Sequence, residues 1–334
     1  MITTATTSSR SALCASIAAA LLSGCGGSQP PIGAPGVGGQ AASPQGDAAS
    51  TPLPGGAVSR RVPRPLPRYP RRSDALLYVA DDSSGAIDIF PLKKPNQRQI
   101  GSISNGVNDP WGLSVDSNNS LYVANGGYGT GNVTVYPYGS TSPSITYSPM
   151  YRALYALADS TGHVFVSGYN HHRKGHVLEF NAGRNYVIAH QQLGFETDGM
   201  AEDGQGNLYV AYRGKTSNSI AEFGPDLTNK RLLGMTIDQP QGLLVDSAGN
   251  IIVVESAADR IDVFPPGATT PSVTVTISGI DNLGELAMQN SETTLWVSSE
   301  GGFVYSMPYP LTPSTVPTKY EKIDGEPNGI AVSR

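Results

Sequence analysis

The stretch of sequence that decides the fold reads Gly242-Leu243-Leu244-Val245-Asp246-Ser247-Ala248-Gly249-Asn250-Ile251-Ile252-Val253-Val254-Glu255. Two apolar runs rich in β-branched residues flank residues 247–250, which contain the Gly and Asn typical of a hairpin turn. A third run, Arg260-Ile261-Asp262-Val263-Phe264, alternates with period two and ends at a proline, and a fourth covers 272–277. The stretch therefore predicts four short antiparallel strands joined by tight turns.

The same unit recurs along the chain. An apolar–apolar–Val triplet, with an aromatic residue usually in the middle, occurs at Leu77-Tyr78-Val79, Leu121-Tyr122-Val123, Val164-Phe165-Val166, Leu208-Tyr209-Val210, Ile251-Ile252-Val253 and Leu295-Trp296-Val297. The triplets are 44, 43, 44, 43 and 44 residues apart. A spacing this regular indicates a structural repeat, and four strands per repeat are typical of a propeller blade. We predict an all-β fold over residues 73–334, a six-bladed β-propeller of four-stranded blades.

The two ends of the repeat region each contain part of a blade. The first unit begins with a second strand at residues 76–81 and has no first strand. The last residues, Gly329-Ile330-Ala331-Val332, have the pattern of a first strand without a second. We expect the C-terminal strand to join the N-terminal blade, which closes the ring and leaves no strand edge at the junction.

Three units begin with a Pro-x-Gly motif. The motifs are Pro110-Trp111-Gly112-Leu113-Ser114-Val115-Asp116, Pro240-Gln241-Gly242-Leu243-Leu244-Val245-Asp246 and Pro327-Asn328-Gly329-Ile330-Ala331-Val332. Together with the apolar-Tyr-Val strands that follow the turns, they resemble NHL repeats over residues 74–334. The resemblance implies the propeller fold and leaves the chemistry open, because propellers serve many functions.

Residues 1–24 have the features of an export signal. Arg10 precedes an apolar stretch, residues 12–22, that is too short to span a bilayer. Leu22-Ser23-Gly24-Cys25 resembles the lipobox of bacterial lipoproteins, in which the cysteine carries a diacylglycerol and becomes the first residue. Cys25 would then be the only cysteine of the mature chain, since Cys14 lies in the apolar stretch. The alternative is an ordinary signal peptide with an incidental cysteine.

The lipobox resemblance implies a protein exported to the bacterial cell envelope and anchored in a membrane by lipid at Cys25. Gly26 follows the cysteine, and by resemblance to Gram-negative sorting this implies the outer membrane. Residues 25–72 show no hydrophobic periodicity and are rich in Pro and Gly, so we predict a disordered tether. Its end, from Arg60 to Arg72, has six Arg in thirteen positions. It is either a contact with an anionic surface or a solvated stiff stalk.

The charge balance bears on possible partners. The whole chain has a net charge of −5, and residues 73–334 contain 15 basic and 26 acidic residues, a net charge of −11. A head this acidic excludes nucleic acid as a partner bound by bulk charge.

Strand order predicts which loops share a face. The loops that enter first strands and the loops that join second to third strands lie together at one end of the ring, here called the top face. Residues placed just before the first strands then surround the axial mouth. Trp111, Tyr128, Tyr151, Tyr169 and Tyr212 lie on top-face segments together with Gln241, and flat rings with polar tips suit glycan or peptide contact.

Polar side chains at the same mouth suit a divalent cation. Carboxylate and amide oxygens are the ligands that Ca²⁺ prefers. Asp198-Gly199 and Asn328-Gly329 resemble dipeptides that hold a metal in gluconolactonase/regucalcin-type propellers, and Glu255 ends a second strand nearby. The resemblance implies Ca²⁺ or another divalent cation at Asp198, Asn328 and Glu255. The alternative is a set of polar residues that solvate a water-filled channel.

Two functions therefore remain open. The first is a non-catalytic binding or scaffolding module in the envelope that holds a protein, glycan or small ligand through its top face. The second is a metal-dependent hydrolase or lyase of lactones or esters, in which the cation polarises the carbonyl. The sequence favours the first, because it has no Gly-x-Ser-x-Gly motif and its only mature cysteine is the anchor. No catalytic residue is assigned, and His163 and His190 receive no role.

Overall fold

The computed structural model describes residues 74–333 except Pro149 and Asp281. The predicted signal peptide, Cys25 and the tether, including the segment from Arg60 to Arg72, lie outside the described residues and stay predictions. Within the described part, no helix is both long and apolar enough to cross a membrane.

The described residues form short strands throughout. In chain order the first twelve are β1 (Leu76–Asp81), β2 (Ala86–Pro91), β3 (Gly101–Ile103), β4 (Pro110–Val115), β5 (Leu121–Asn125), β6 (Asn132–Tyr136), β7 (Ile145–Tyr147), β8 (Arg152–Ala158), β9 (Val164–Tyr169), β10 (Gly175–Phe180), β11 (Val187–Gln192) and β12 (Glu196–Glu202). The others are β13 (Leu208–Arg213), β14 (Asn218–Gly224), β15 (Thr228–Leu232), β16 (Pro240–Val245), β17 (Ile251–Glu255), β18 (Arg260–Phe264), β19 (Val273–Thr276), β20 (Leu283–Met288), β21 (Thr294–Ser299), β22 (Phe303–Pro308), β23 (Thr318–Lys322) and β24 (Pro327–Val332).

The strands form six antiparallel four-stranded sheets, which confirms the predicted six-bladed β-propeller. Blade 1 has the order β24-β1-β2-β3, and blades 2 to 6 follow as β4–β7, β8–β11, β12–β15, β16–β19 and β20–β23. The first strand of each blade contacts the first strands of the neighbouring blades, so these six strands surround the axis.

Both ends of the described chain build blade 1, as predicted. β24 pairs antiparallel with β1 in a register that places Val332 opposite Leu77 and Ile330 opposite Val79. Just after β24, the backbone N–H of Ser333 donates to the carbonyl of Leu76, and the Ser333 hydroxyl accepts the Leu76 N–H at 2.7 Å. The ring is therefore closed by main-chain pairing between residues about 250 positions apart.

The repeated triplets supply the core. The valine that ends each triplet is fully buried in all six blades: Val79, Val123, Val166, Val210, Val253 and Val297. Each is in the second strand of its blade, where side chains on alternate faces pack against the two neighbouring sheets. The regular spacing of the triplets in the sequence therefore reflects one buried valine at the same position of every blade.

An aspartate organises four of the hairpins on the lower face, opposite the top face. One carboxylate oxygen of Asp203 accepts the backbone N–H groups of Gln205 and Asn207, both at 2.9 Å. Asp116, Asp159 and Asp246 make the same pair of bonds in their own hairpins. An aspartate in this position holds the turn by local side-chain-to-backbone bonding, which explains its recurrence after the first strand.

Each innermost strand contains a bulge near its start. The register shifts between Pro110 and Leu113 in β4, and at the equivalent place in the other five first strands. We expected Trp111, Asp198, Gln241 and Asn328 just before the first strands; they lie inside them, at the second or third residue. The bulge is the reason, because it lets a residue turn toward the axis without ending the strand.

Candidate functional site

A largely buried arginine lies at the top of blade 3 among four aromatic residues. The guanidinium carbon of Arg152 is 4.4 Å from the ring centre of Trp111 and 4.5 Å from that of Tyr128. Its Nη1 atom donates to the Tyr128 hydroxyl at 2.9 Å and to the Tyr169 hydroxyl at 3.4 Å. We call Trp111, Tyr128, Tyr151, Arg152 and Tyr169 the aromatic cluster. It brings together four of the six residues predicted for ligand binding.

The cluster has a buried base and an exposed rim. The Arg152 side chain is 12% exposed and Tyr169 is 2% exposed, whereas Tyr128 and Tyr151 are 58% and 36% exposed. The rings of Tyr128 and Tyr151 lie 6.1 Å apart in an edge-on arrangement. The edge-on contact and the fixed arginine below restrict the motion of these rings. Binding of a ligand over them therefore costs less tyrosine side-chain entropy than binding over freely rotating tyrosines.

Acidic groups lie on the side of the cluster toward blade 1. Asp109 Oδ2 is 3.6 Å from Arg152 Nη2, and its Oδ1 accepts the indole N–H of Trp111 at 3.2 Å. Burial raises the pKa of Asp82 to about 6, and a hydrogen bond with Asp109 and the negative charge of Asp109 add to the rise. Burial and the neighbouring carboxylate therefore both favour the neutral form of Asp82.

A shallow acidic depression continues this surface over blades 6 and 1. It encloses about 520 Å³, and its lining includes the three carboxylates of Glu300, Asp324 and Glu326. The lining also contains one cation, Lys322, whose Nζ atom lies 3.5 Å from the Asp324 carboxylate, so the net charge of the depression stays negative. Glu326 also contributes to the raised pKa of Asp82, so the depression adjoins the Asp82–Asp109 pair. The top face therefore presents tyrosine rings at blades 2 and 3 and carboxylates at blades 6 and 1.

A second group of ionisable residues is buried at the axis. Asp198 in β12 is 1% exposed; its Oδ2 lies 3.4 Å from Arg213 Nη2, and its Oδ1 has no hydrogen-bond partner among the described residues. Burial raises the pKa of Asp198 to about 7, although Arg213 opposes the rise. Burial also raises the pKa of Glu285 in β20 well above its usual value, and the charge of Asp198 adds to that effect.

Two of the predicted metal ligands each keep one carboxylate oxygen available. Oδ1 of Asp198 and Oε1 of Glu255 are buried without a hydrogen-bond partner among the described residues, and Asn328 in β24 is buried near the same axis. The other Glu255 oxygen, Oε2, accepts the Asp238 N–H at 3.2 Å and an Arg260 N–H at 2.6 Å, which holds this carboxylate within blade 5. The metal bound by these three residues stays a prediction.

The remaining two predicted binding residues lie away from the aromatic cluster in the ring. Tyr212 lies opposite Thr197 near the end of β13 in blade 4 and is 7% exposed. Gln241 lies in the bulge of β16 in blade 5 and is 6% exposed. Both are buried in their blades, whereas the cluster is built by blades 2 and 3.

A small cavity lies in the lower half of the axis. It has a volume of about 140 Å³ and is lined mostly by apolar side chains of the innermost strands, among them Leu113, Leu286 and Ile330, together with the polar residues Ser114 and Asn290. Tyr155 also lines it; this residue is 5% exposed, and burial raises the pKa of its hydroxyl far above the usual value.

Arg152 was not identified from the sequence, although the repeat contains a signal for it. It is the first residue of β8, and the strand pairing makes it equivalent to the residues that directly precede Pro110, Pro240 and Pro327, not to the prolines themselves. The equivalent residues of the other blades are Asp109, Glu196, Gln239, Asn282 and Glu326. A position that is acidic in three blades and arginine in one marks a local departure from the structural repeat. Comparing equivalent positions across the blades would have found it.

We expect Asp198 to contribute to a pH dependence of stability, together with Glu202, whose pKa burial also raises to about 7. A buried acid with a raised pKa binds its proton more tightly in the folded chain, so the unfolding free energy falls as pH rises from the unfolded pKa through the folded one. For a shift to about 7, the loss between about pH 5.5 and about pH 8 is about 2 kcal/mol. Urea titrations at both pH values should show the loss in the wild-type chain and a smaller loss in Asp198→Asn. An unchanged slope in the variant would contradict the assignment.

No family model and no curated protein sequence matches this chain. Among solved structures, its fold is similar to that of a chain in the crystal structure of a nidogen/laminin complex, with a TM-score of 0.60 and 14% identity over 78% of this chain and 98% of that chain. It is also similar to a protein of unknown function from Bacteroides caccae, with a TM-score of 0.56 and 14% identity over 78% and 100% of the two chains.

A third similar structure is a luciferin-regenerating enzyme, with a TM-score of 0.54 and 14% identity over 79% of this chain and 94% of that chain. Similarities at this identity support the propeller fold alone. The three include both an enzyme and a chain from a protein complex, so the function has to be argued from the site.

Proposed function

We propose that this propeller is a non-catalytic binding module of the cell envelope that holds a partner protein on its top face. The observation that carries the proposal is the aromatic cluster, in which Tyr128 and Tyr151 project from a rigid base formed by Arg152, Trp111 and Tyr169. Exposed tyrosines on a rigid support are typical of the energetic centre of protein interfaces. The lipid anchor at Cys25 and the tether belong to the same proposal, and they would fix the module to a membrane.

The charge of the top face indicates the chemistry of the partner. Asp82 and Asp109 lie beside the cluster, and Glu326 leads on to the acidic depression. This surface suits a chain segment in which a lysine or arginine lies next to an apolar or aromatic residue. The cationic side chain would contact the carboxylates, and the apolar or aromatic side chain would pack on the tyrosine rings. The proposed ligand is therefore a basic segment of an envelope protein. A glycan or a small molecule is the alternative occupant.

Photo-crosslinking tests the proposal directly. A benzoylphenylalanine residue in place of Tyr128 should give a covalent adduct with one envelope protein, which mass spectrometry identifies. The matched control carries the same group in place of Tyr186, a tyrosine at the outer edge of blade 3 that is 67% exposed. Position 128 without a protein adduct, or the same adduct at both positions, would contradict the proposal.

The partner identified in this way allows a quantitative prediction. Tyr128→Ala combined with Tyr151→Ala should weaken its binding by about 30-fold or more, because truncation of an interface hot spot typically costs about 2 kcal/mol. Isothermal titration calorimetry measures the change, with Tyr186→Ala as the control that should bind as the wild type does. Because Tyr128 is also a partner of the largely buried Arg152, thermal melting should confirm that the double variant stays folded.

One observation favours the second function. The unpaired Oδ1 atom of Asp198 at the axis is an available ligand for a divalent cation in a hydrolase or lyase of lactones. Turnover of a lactone panel with added Ca²⁺, Mg²⁺, Mn²⁺ or Zn²⁺, lost in Asp198→Ala, would support that function. The absence of turnover with every metal would leave the binding module as the better account.

A further inference from the structure

Three potential metal ligands meet at the lower side of the boundary between blades 3 and 4, away from the site described above. These ligands are His163, Glu179 and Asp226. Each offers one nitrogen or oxygen atom, and the three atoms lie within 4.8 Å of one another. His163 is in the β8–β9 hairpin, Glu179 is in β10, and Asp226 is in the turn Pro225–Leu227 after β14. The group therefore spans two blades.

Glu179 is the most informative member of the group. Its side chain is 0% exposed, its Oε2 atom has no hydrogen-bond partner among the described residues, and its Oε1 atom has only the ion-pair contact with His163 described below. It lies opposite Phe165 in the ladder, where blades 1, 2 and 5 place the apolar residues Ile89, Val135 and Val263. In blade 4 the equivalent residue is Glu222, but that carboxylate is only half-buried and pairs with Arg231. A buried carboxylate that replaces an aliphatic residue destabilises the fold unless a cation compensates its charge.

His163 also departs from the repeat. Its backbone N–H donates to Asp159, as the equivalent asparagines Asn207 and Asn250 donate to theirs. In blades 4 and 5 the asparagine side chain then bonds to the same aspartate at 2.8 Å. The imidazole of His163 instead lies 3.8 Å from the Asp159 carboxylate, and its Nδ1 atom is 3.1 Å from Oε1 of Glu179.

Asp226 supplies the third ligand from blade 4. It has a left-handed backbone conformation, with φ 58° and ψ 34°, within the short turn that leads into β15. One of its carboxylate oxygens lies within 4.8 Å of a Glu179 oxygen, so the two carboxylates face each other. Such a pair is more stable with a bound dication between its members.

We propose that His163, Glu179 and Asp226 form a binding site for a first-row transition-metal dication, with Zn²⁺ as the representative ion. One imidazole nitrogen and two carboxylate oxygens are a ligand set typical of Zn²⁺, whereas Ca²⁺ prefers oxygen ligands alone. Three protein ligands leave a further position for water, and the His163 side chain is 28% exposed, which gives the ion access. The bound ion would join blade 3 to blade 4.

The test uses the full chain with Cys14→Ser and Cys25→Ser, so that no thiolate competes for the metal. After treatment with a chelator, isothermal titration calorimetry with Zn²⁺ should show one equivalent bound. The thermal midpoint should rise by roughly 4–8 °C at a hundredfold excess over Kd, because the ion binds the native state only. No heat of binding and no rise in the midpoint would overturn the proposal and leave an ion pair of His163 with Glu179.

Two variants that copy residues of the sister blades locate the site. His163→Asn introduces the residue of blades 4 and 5, and Glu179→Val introduces that of blades 2 and 5. Both should fold, both should lose the Zn²⁺ response, and Glu179→Val should melt higher than the metal-free wild type because the buried charge is gone.

A second histidine pair provides the control. His176 Nδ1 and His190 Nε2 lie 2.6 Å apart on the outer part of blade 3, where they could bind Zn²⁺ adventitiously. The double variant His176→Asn, His190→Asn should keep the response of the wild type. A response that this variant loses and His163→Asn keeps would overturn the proposal.

Discussion

A chain that ends at Asp324 should not fold cooperatively, although it retains 23 of the 24 strands that the structure describes. The truncation removes β24, whose residues Ile330 and Val332 are at most 8% exposed, and it uncovers the paired edge of β1. The lost apolar burial and the lost ladder together amount to more than about 5 kcal/mol, which is comparable to the whole stability of many domains. Urea titration followed by circular dichroism should show a broad transition without a native baseline.

Complementation is the control for this result. A synthetic peptide of residues 325–333 added to the truncated chain should restore a cooperative transition that depends on peptide concentration. A peptide of the same composition in scrambled order should not. A truncated chain that melts like the full chain would show that the closing strand contributes little.

Replacement of Gly329 by alanine should destabilise the ring more than a typical single substitution does. A Cβ atom at this position would lie 1.8 Å from the carbonyl oxygen of Trp111 in the next blade. The clash is with a main-chain atom, so it cannot be relieved by a change of side-chain rotamer. We expect a loss of about 3 kcal/mol in the free energy of unfolding. Because the displaced residue is Trp111, the indole fluorescence and the geometry of the aromatic cluster should change as well.

Gly204→Ala is the matched control for that substitution. A Cβ atom on Gly204 would meet nothing within 4 Å, and its φ is outside the left-handed region. Its unfolding free energy should stay within about 0.5 kcal/mol of the wild type. Equal losses in the two variants would mean that the close approach of neighbouring bulges does not control stability.

The fold could be predicted from the sequence because its signal is periodic and each period buries the same residue. Val79 and its five equivalents recur at nearly constant spacing because all six blades pack the same layer. The incomplete unit at Leu76 and the unpaired pattern at Ile330 also revealed the closure. These are local patterns repeated many times, so errors at one blade do not change the conclusion.

The site was harder to predict because it depends on single departures from the repeat. Trp111 and Tyr128 were found as aromatic residues on top-face segments, but the sequence did not show that Arg152 lies between them. The bulges were also not predicted, because the extra residue of a bulge becomes visible only when two strands are paired. Glu179 and His163 have ordinary sequence neighbours, and the ring brings them to Asp226 only through the packing of two blades.

The pairing of β24 with β1 has a consequence for how each copy of the protein is made. During synthesis β1 emerges first, and its partner β24 is translated only after blades 2 to 6. Every nascent chain therefore passes through an open arc with an unprotected β edge, whatever its final location. Premature termination anywhere before residue 327 leaves that arc permanently open, so quality control could distinguish complete from incomplete copies by this one edge.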